Sequence, residues 1–186
     1  LAGGSHLKPQ LALLALLLLL AGADKASATA YYSTGTVGGY WGVNTTWGTA
    51  TDGSGNPAGP LGAGDTANTR PGTVTVNANA ACTALLVGYG SSTVAKQTLT
   101  FSGTVSLTVS GVLSVGTGSA STRPGTLQFT SDATVTAGSV SLNRELSTST
   151  KSVLDMTAGG KLVTGSLAVA GGNADPLNAV WLPGLG

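Results

Sequence analysis

Residues 98–116 read TLTFSGTVSLTVSGVLSVG, and their pattern decides the fold. Leu99 and Phe101 are apolar with Thr100 between them, and the same alternation continues through residues 105–109 and 113–115. Alternation with a period of two residues is typical of β-strands that bury one face. Gly and Ser lie between the runs, as they do in turns. The stretch therefore predicts three short strands in quick succession.

The first of these runs recurs along the chain. The runs TVTV (73–76), TLTF (98–101), TLQF (126–129) and VLDM (153–156) begin 25, 28 and 27 residues apart. A weaker middle strand and then a second apolar pair follow each run. The second pairs are Leu85/Val87, Leu113/Val115, Val140/Leu142 and Leu167/Val169.

One unit of about 27 residues cannot bury its own apolar face, whereas stacked units can. We therefore predict an all-β, single-domain parallel β-helix, or solenoid, of about four coils with an N-terminal cap. The general chirality of parallel crossovers favours a right-handed coil. An antiparallel β-sandwich is the alternative, and the near-constant period favours the solenoid. One inward-facing stack is expected to contain Val76, Phe101, Phe129 and Met156.

The first 28 residues have the features of a secretory signal peptide. His6 and Lys8 precede an apolar run at 11–21, which is short for a transmembrane helix, although an uncleaved anchor is the alternative. Two A-x-A cleavage sites follow, Ala26-Ser27-Ala28 and Ala28-Thr29-Ala30. The predicted organisation is a signal peptide (1–28), an N-terminal cap leading into the first coil (29–72), solenoid coils (73–172) and a C-terminal tail or cap (173–186).

Composition and charge exclude several functions. Cleavage after Ala28 would leave equal numbers of basic and acidic side chains. Nucleic-acid binding needs a basic excess, so no such partner is expected, nor is a membrane once the signal peptide is removed. His6 is the only histidine and Cys82 the only cysteine. We predict no catalytic, cofactor-binding or metal-binding residues and a protein that is not an enzyme. Carboxylate–base pairs such as Asp155 with Lys161, or Asp132 with Arg123, are better explained as solvated surface charges.

Two groups of side chains are candidates for contact with a partner or a glycan. The first is basic and precedes the first strand of every repeat: Arg70, Lys96, Arg123 and Lys151. Arg70 and Arg123 belong to two copies of TRPGT (69–73 and 122–126), which we predict at the same corner two coils apart. A solvated corner that discourages edge aggregation is the alternative. The second group is aromatic: Tyr40, Trp41 and Trp47. These residues could stack on sugars, but a cap over the first coil is the favoured interpretation.

The C-terminal end is the candidate surface for self-association. If NAVWL (178–182) lies across the last coil, Trp181 is expected to close that end. Otherwise the last coil presents unpaired parallel edges to another copy. The residues predicted for end-to-end assembly are Leu167, Val169, Val180 and Trp181.

The phrase at 98–116, together with GTLQFTSDATVTAGSVSL (125–142) and LDMTAGGKLVTGSLAVAGG (154–172), resembles the repeats of autotransporter-associated and related bacterial surface β-helix proteins. The resemblance covers roughly residues 31–172 and implies a secreted parallel β-solenoid. The expected function is a secreted, extracellular or cell-surface structural protein that forms a fibre, matrix or surface assembly with itself. The alternative is a monomeric adhesin module that binds a polysaccharide through the early aromatic residues or the basic edge. A polysaccharide-cleaving enzyme ranks last.

Overall fold

The computed structural model describes residues 28–34, 39–55, 61–89, 97–116, 125–130, 132–142, 152–169 and 179–181. A 3-10 helix at Asn44–Thr46 interrupts a series of β-strands. The strands are β1 (Ala30–Ser33), β2 (Gly39–Tyr40), β3 (Trp47–Gly48), β4 (Thr66–Thr69), β5 (Gly72–Val76), β6 (Ala80–Cys82), β7 (Ala84–Val87), β8 (Gln97–Phe101), β9 (Ser106–Val115), β10 (Gly125–Gln128), β11 (Thr134–Leu142), β12 (Val153–Asp155), β13 (Lys161–Thr164), β14 (Leu167–Val169) and β15 (Ala179–Trp181).

These strands form two sheets that the chain visits in alternation. The first sheet has the order β3-β1-β4-β7-β9-β11-β13, with β6 also paired to β9 and β14 also paired to β11. The second sheet has the order β2-β5-β8-β10-β12-β15. Among the described strands every pair is parallel except β1 with β3. The prediction of an all-β fold built from parallel strands is confirmed.

The strand register follows the repeat that the sequence predicts. Thr73 pairs with Thr98, Thr98 with Thr126, and Thr126 with Val153. In the other sheet Leu113 lies between Leu85 and Val140, and Val140 pairs in turn with Leu167. Residues one repeat apart in the sequence are therefore neighbours in a sheet, as parallel stacking requires.

The number of strands per repeat differs from the prediction. The middle and last predicted strands are separate in two repeats, as β6 with β7 and as β13 with β14, but they are fused in the long strands β9 and β11. The register of β9 against β11 shifts between Ala137 and Ser139, as at a β-bulge. Gly111 and Gly138 lie at this shift, where a β-carbon at Gly111 would lie 2.8 Å from Thr83 O and one at Gly138 would lie 2.8 Å from Ser110 O. Glycine allows the close backbone approach that this part of the sheet requires.

The core consists of rows of inward-facing side chains that run across the repeats. Val76 pairs with Phe101, the rings of Phe101 and Phe129 lie 5.4 Å apart, and Met156 is also buried, so the predicted stack is confirmed. A second row contains Val74, Leu99, Leu127 and Leu154, each of which is nearly inaccessible to solvent. Gln97, at the start of β8, is one of several buried polar residues, and its side-chain amide has no hydrogen-bond partner among the described residues. Equivalent positions in successive repeats therefore share one hydrophobic core.

The N-terminal segment joins both sheets. β1 pairs in parallel with β4, and β2 pairs in parallel with β5. β3 then turns back and pairs with β1 in the antiparallel direction. The predicted cap region thus adds strands to each sheet and ends the first sheet with a strand of opposite direction.

Candidate functional site

The C-terminal end of the first sheet exposes apolar residues that are buried in every preceding repeat. Leu85, Leu113 and Val140 are buried, but Leu167 in the same row is 44% exposed. Val87, Val115 and Leu142 form the next row and are also buried, but Val169 is 48% exposed. Val163 on β13 is exposed too, but its register partner Thr136 is also exposed, so Val163 lies on the outward face of the sheet. We call Leu167 and Val169 the terminal patch.

The second sheet ends in β15. This strand pairs in parallel with β12 and so continues the sheet. Val180 is the register partner of Leu154, and Trp181 is the register partner of Asp155. The backbone of Val180 and Trp181 therefore lies in the last strand of the second sheet, beside the end that carries the terminal patch.

The aromatic residues at the opposite end are mostly in the core. Trp41 is 3% exposed and Trp47 is 1% exposed. Their rings meet edge to face at 5.1 Å, and Trp47 Nε1 donates a 2.8 Å hydrogen bond to Trp41 O. Neither indole face is available for stacking on a sugar in this structure, so the assignment of Trp41 and Trp47 as glycan contacts is corrected. Of the three predicted aromatic residues, only Tyr40, at 48%, is exposed.

The structure adds an aromatic pair that the repeat pattern did not reveal. The rings of Tyr32 and Tyr89 lie 4.8 Å apart and are half-buried. Burial raises the pKa of Tyr32, and the charge and hydrogen bonding of Tyr89 act in the same direction. The pair depends on the order β1-β4-β7, in which the steps between register partners differ from 27 residues. The repeat period therefore gave no signal for it.

Of the four predicted basic residues, Arg70 is described, whereas Lys96, Arg123 and Lys151 lie outside the described residues. Arg70 is half-buried, and a β-carbon at Gly53 would lie 2.8 Å from its Nη1, so the guanidinium lies over the 52–54 turn. Two hydrogen bonds from Ser54 hold the pKa of Asp52 below its ordinary value, and the charge of Arg70 acts in the same direction. The strands that follow the two TRPGT copies, β5 and β10, flank β8 as predicted.

Residues with other candidate chemistry have structural roles or are exposed. Asp155 Oδ1 accepts hydrogen bonds from the backbone N and the hydroxyl of Thr157. Lys161 and Asp132 are exposed. No group of three or more His, Cys, Asp or Glu residues that could hold a metal ion occurs within the described ranges. The same ranges contain no helix of the length and apolarity that crossing a bilayer requires.

Cys82 is buried on β6, and burial raises the pKa of its thiol to about 12, with the charge of Asp65 acting in the same direction. In the unfolded chain the Cys82 thiol has its ordinary pKa of 9.0. As the pH rises, the unfolded chain therefore loses this proton at a lower pH than the folded protein does. We therefore expect this group's stabilisation to be complete below pH 9.0 and to be lost as the pH approaches about 12. Between these two pKa values the free energy of unfolding should fall by at most about 1.4 kcal/mol per pH unit.

The prediction is tested by urea denaturation of the wild type and of Cys82→Ala at about pH 8 and about pH 11. Comparing the two proteins separates the contribution of the Cys82 thiol from that of the tyrosines and lysines, which both proteins share. The difference in unfolding free energy between the two proteins should shrink at the higher pH. A difference that is the same at both pH values would contradict the prediction.

Comparison with protein-family models, with curated proteins and with solved structures finds no match for this chain.

Proposed function

We propose that this protein is a secreted, non-enzymatic structural protein, a β-solenoid subunit that associates with itself in an extracellular fibre, matrix or surface layer. The observation that carries the proposal is the terminal patch, where rows of buried apolar side chains end in exposed ones. The signal-peptide pattern and the resemblance of the repeats to bacterial surface β-helix proteins support the extracellular location.

The solenoid part of the proposal rests on the pairing pattern. The chain alternates between two sheets, and each return brings it back in parallel register after 25 to 28 residues in the main repeats. If each new strand is added on the same side of the strand before it, the chain winds into successive coils. We propose about four such coils, with the right-handed sense that parallel crossovers favour.

The unpaired strand edge and the exposed apolar side chains of the last coil favour self-association. β13 and β14 are paired on one side with β11, and their other edge has no strand partner among the described residues. An unpaired edge beside exposed apolar side chains is a template for a further strand. Burying an aliphatic side chain that is half exposed contributes about 1 kcal/mol, so Leu167 and Val169 each favour a covered state. A second copy supplies edges and side chains of the same kind.

The two ends of the molecule are not equivalent. A β-carbon at Gly48 would collide with the carbonyl oxygens of Gly53 and Ser54, so a turn of the same chain packs closely against β3. The second sheet begins with β2, where Tyr40 is exposed. Contact between C-terminal ends gives a closed dimer, whereas contact between β15 of one copy and β2 of the next propagates into a fibre.

Sedimentation and electron microscopy of residues 29–186 test the proposal. We expect species larger than a monomer, and we expect the double variant Leu167→Asp/Val169→Asp to weaken association at least tenfold, because it places two charges in an apolar contact. Val112→Asp is the matched control, since Val112 is similarly exposed at 46% but lies on β9, away from the end.

The outcomes separate the alternatives. Filaments would support the complete proposal. Discrete dimers would support self-association but contradict assembly into a fibre. Stable monomers at high protein concentration would contradict both. Monomers that bind a glycan array, with binding lost in Tyr40→Ala, would favour the adhesin instead.

A further inference from the structure

We propose that Thr29 is the first residue of the exported protein and that Asp65 binds its newly formed α-ammonium group. The inference rests on the export part of the proposed function and goes beyond it, because it gives a structural reason for cleavage after Ala28 and names the group that receives the new terminus.

Two hydrogen bonds attach Thr29 to Asp65 and Thr66. The backbone N of Thr29 donates a 3.2 Å hydrogen bond to Asp65 Oδ1, and Thr29 O accepts a 2.9 Å hydrogen bond from the backbone N of Thr66. Ala30 and Tyr31 then pair in β1 with Thr66 and Ala67. Ala28, one residue earlier, is exposed. Thr29 and β1 are therefore attached to β4 and to the turn that precedes it.

This arrangement distinguishes the two A-x-A sites. Cleavage after Ala30 would remove Thr29 and Ala30 and delete both hydrogen bonds. It would also create an ammonium group on Tyr31, which is 5% exposed, and an unpaired charge next to a buried residue is unfavourable. Cleavage after Ala28 keeps β1 complete and creates the charge at Thr29, where a carboxylate already lies.

The carboxylate of Asp65 is held in position by its own turn. Its Oδ2 accepts a 2.8 Å hydrogen bond from Gly62 N, and the backbone N of Asp65 donates a 3.1 Å hydrogen bond to Gly62 O. Oδ1 is thereby directed at Thr29 N. Asp65 is half-buried, which reduces the screening of its charge by solvent. The geometry is that of a preformed acceptor for an amino terminus.

Processing changes the chemistry of this contact. A signal peptidase, a membrane-bound endopeptidase, hydrolyses the Ala28–Thr29 amide with one water molecule. The hydroxyl group goes to the carbonyl carbon of Ala28, which becomes a carboxylate, and the nitrogen of Thr29 gains protons and becomes an ammonium. A neutral N–H to carboxylate bond becomes a charge-assisted one, which is the stronger type. Cleavage thus strengthens the attachment of β1.

The site of cleavage is tested by exporting the whole chain from a bacterial host and determining the amino terminus by Edman sequencing and intact mass. The expected first residues are Thr29, Ala30 and Tyr31. A terminus at Tyr31, or a chain that keeps residues 1–28, would overturn the inference. This readout does not depend on assembly, so it can succeed where the structural function fails.

The role of Asp65 is tested by a double-mutant cycle. Chains that start at Thr29 are compared with chains that start at Ala28, each with Asp65 or with Asp65→Asn, by urea denaturation. We expect Asp65→Asn to lower the folding equilibrium constant about three- to tenfold more in the Thr29 form, because only there does the ammonium nitrogen itself hold the hydrogen bond to Oδ1. Asp132→Asn, an exposed carboxylate, is the control and should show no difference between the forms. Equal losses for Asp65→Asn in both forms would overturn the assignment.

Discussion

Trp47→Ala should lower the free energy of unfolding by about 3–5 kcal/mol, the cost of truncating a large buried aromatic residue. Trp47 is 1% exposed and packs edge to face on Trp41. The substitution also removes the buried hydrogen bond that Trp47 Nε1 donates to Trp41 O. Since domains of this size are stable by about 5–15 kcal/mol, a large share of the stability should be lost. Urea denaturation followed by tryptophan fluorescence and circular dichroism measures it.

Tyr40→Ala is the matched control for this substitution. Tyr40 lies in the same N-terminal region, but its side chain is 48% exposed, so a loss below about 1 kcal/mol is expected. Similar losses for the two variants would mean that the indole of Trp47 is not part of the core and would restore it as a candidate surface residue.

Gly125→Ala should be almost as harmful although it adds a single methyl group. Gly125 begins β10 and is buried against the hydrogen bond that Gly116 N donates to Val87 O. A β-carbon at Gly125 would collide with Val87 O and lie 2.9 Å from Gly116 N. Both obstacles are backbone atoms where β7 and β9 end, so relief requires the backbone of β10 to move away from the ends of these strands. We expect a loss of about 3 kcal/mol, the upper end of overpacking costs.

Gly64→Ala provides the control for Gly125→Ala, because no atom outside the neighbouring residues lies within 4 Å of its β-carbon. Thermal and urea unfolding should place Gly64→Ala within about 0.5 kcal/mol of the wild type. A neutral Gly125→Ala would show that the corner of the two sheets is looser than the structure describes, and would weaken the account of the core.

The central repeats were predictable because their physical signal is local. Leu99, Phe101, Leu127 and Leu154 alternate with polar residues, and burial of one face of a strand imposes that alternation. The spacing of the alternating runs then predicted which strands pair, and the register of Thr98 with Thr126 agrees. The register shift within β9 and β11 was predicted as a break between strands, because glycine in a strand pattern is found at turns and at bulges alike.

The candidate sites depended on contacts that no local pattern encodes. Trp41 and Trp47 are amphipathic side chains that fit a sugar-binding surface or a core equally well. Only the tertiary structure shows that they pack on each other and are buried. Tyr32 and Tyr89 are joined by strand pairings that do not follow the repeat. Leu167 and Val169 have the same local sequence signal as their buried equivalents in earlier repeats, and they differ because no further strand covers them among the described residues.

The sequence by itself determined the all-β composition, the alternation of buried and exposed positions and the order in which equivalent strands meet, because these follow from side-chain periodicity and chain spacing. Only the tertiary structure decided which ends of the rows are covered. Whether a row end is covered depends on whether another strand packs against it. The local sequence around Leu167 and Val169 does not indicate whether such a strand is present.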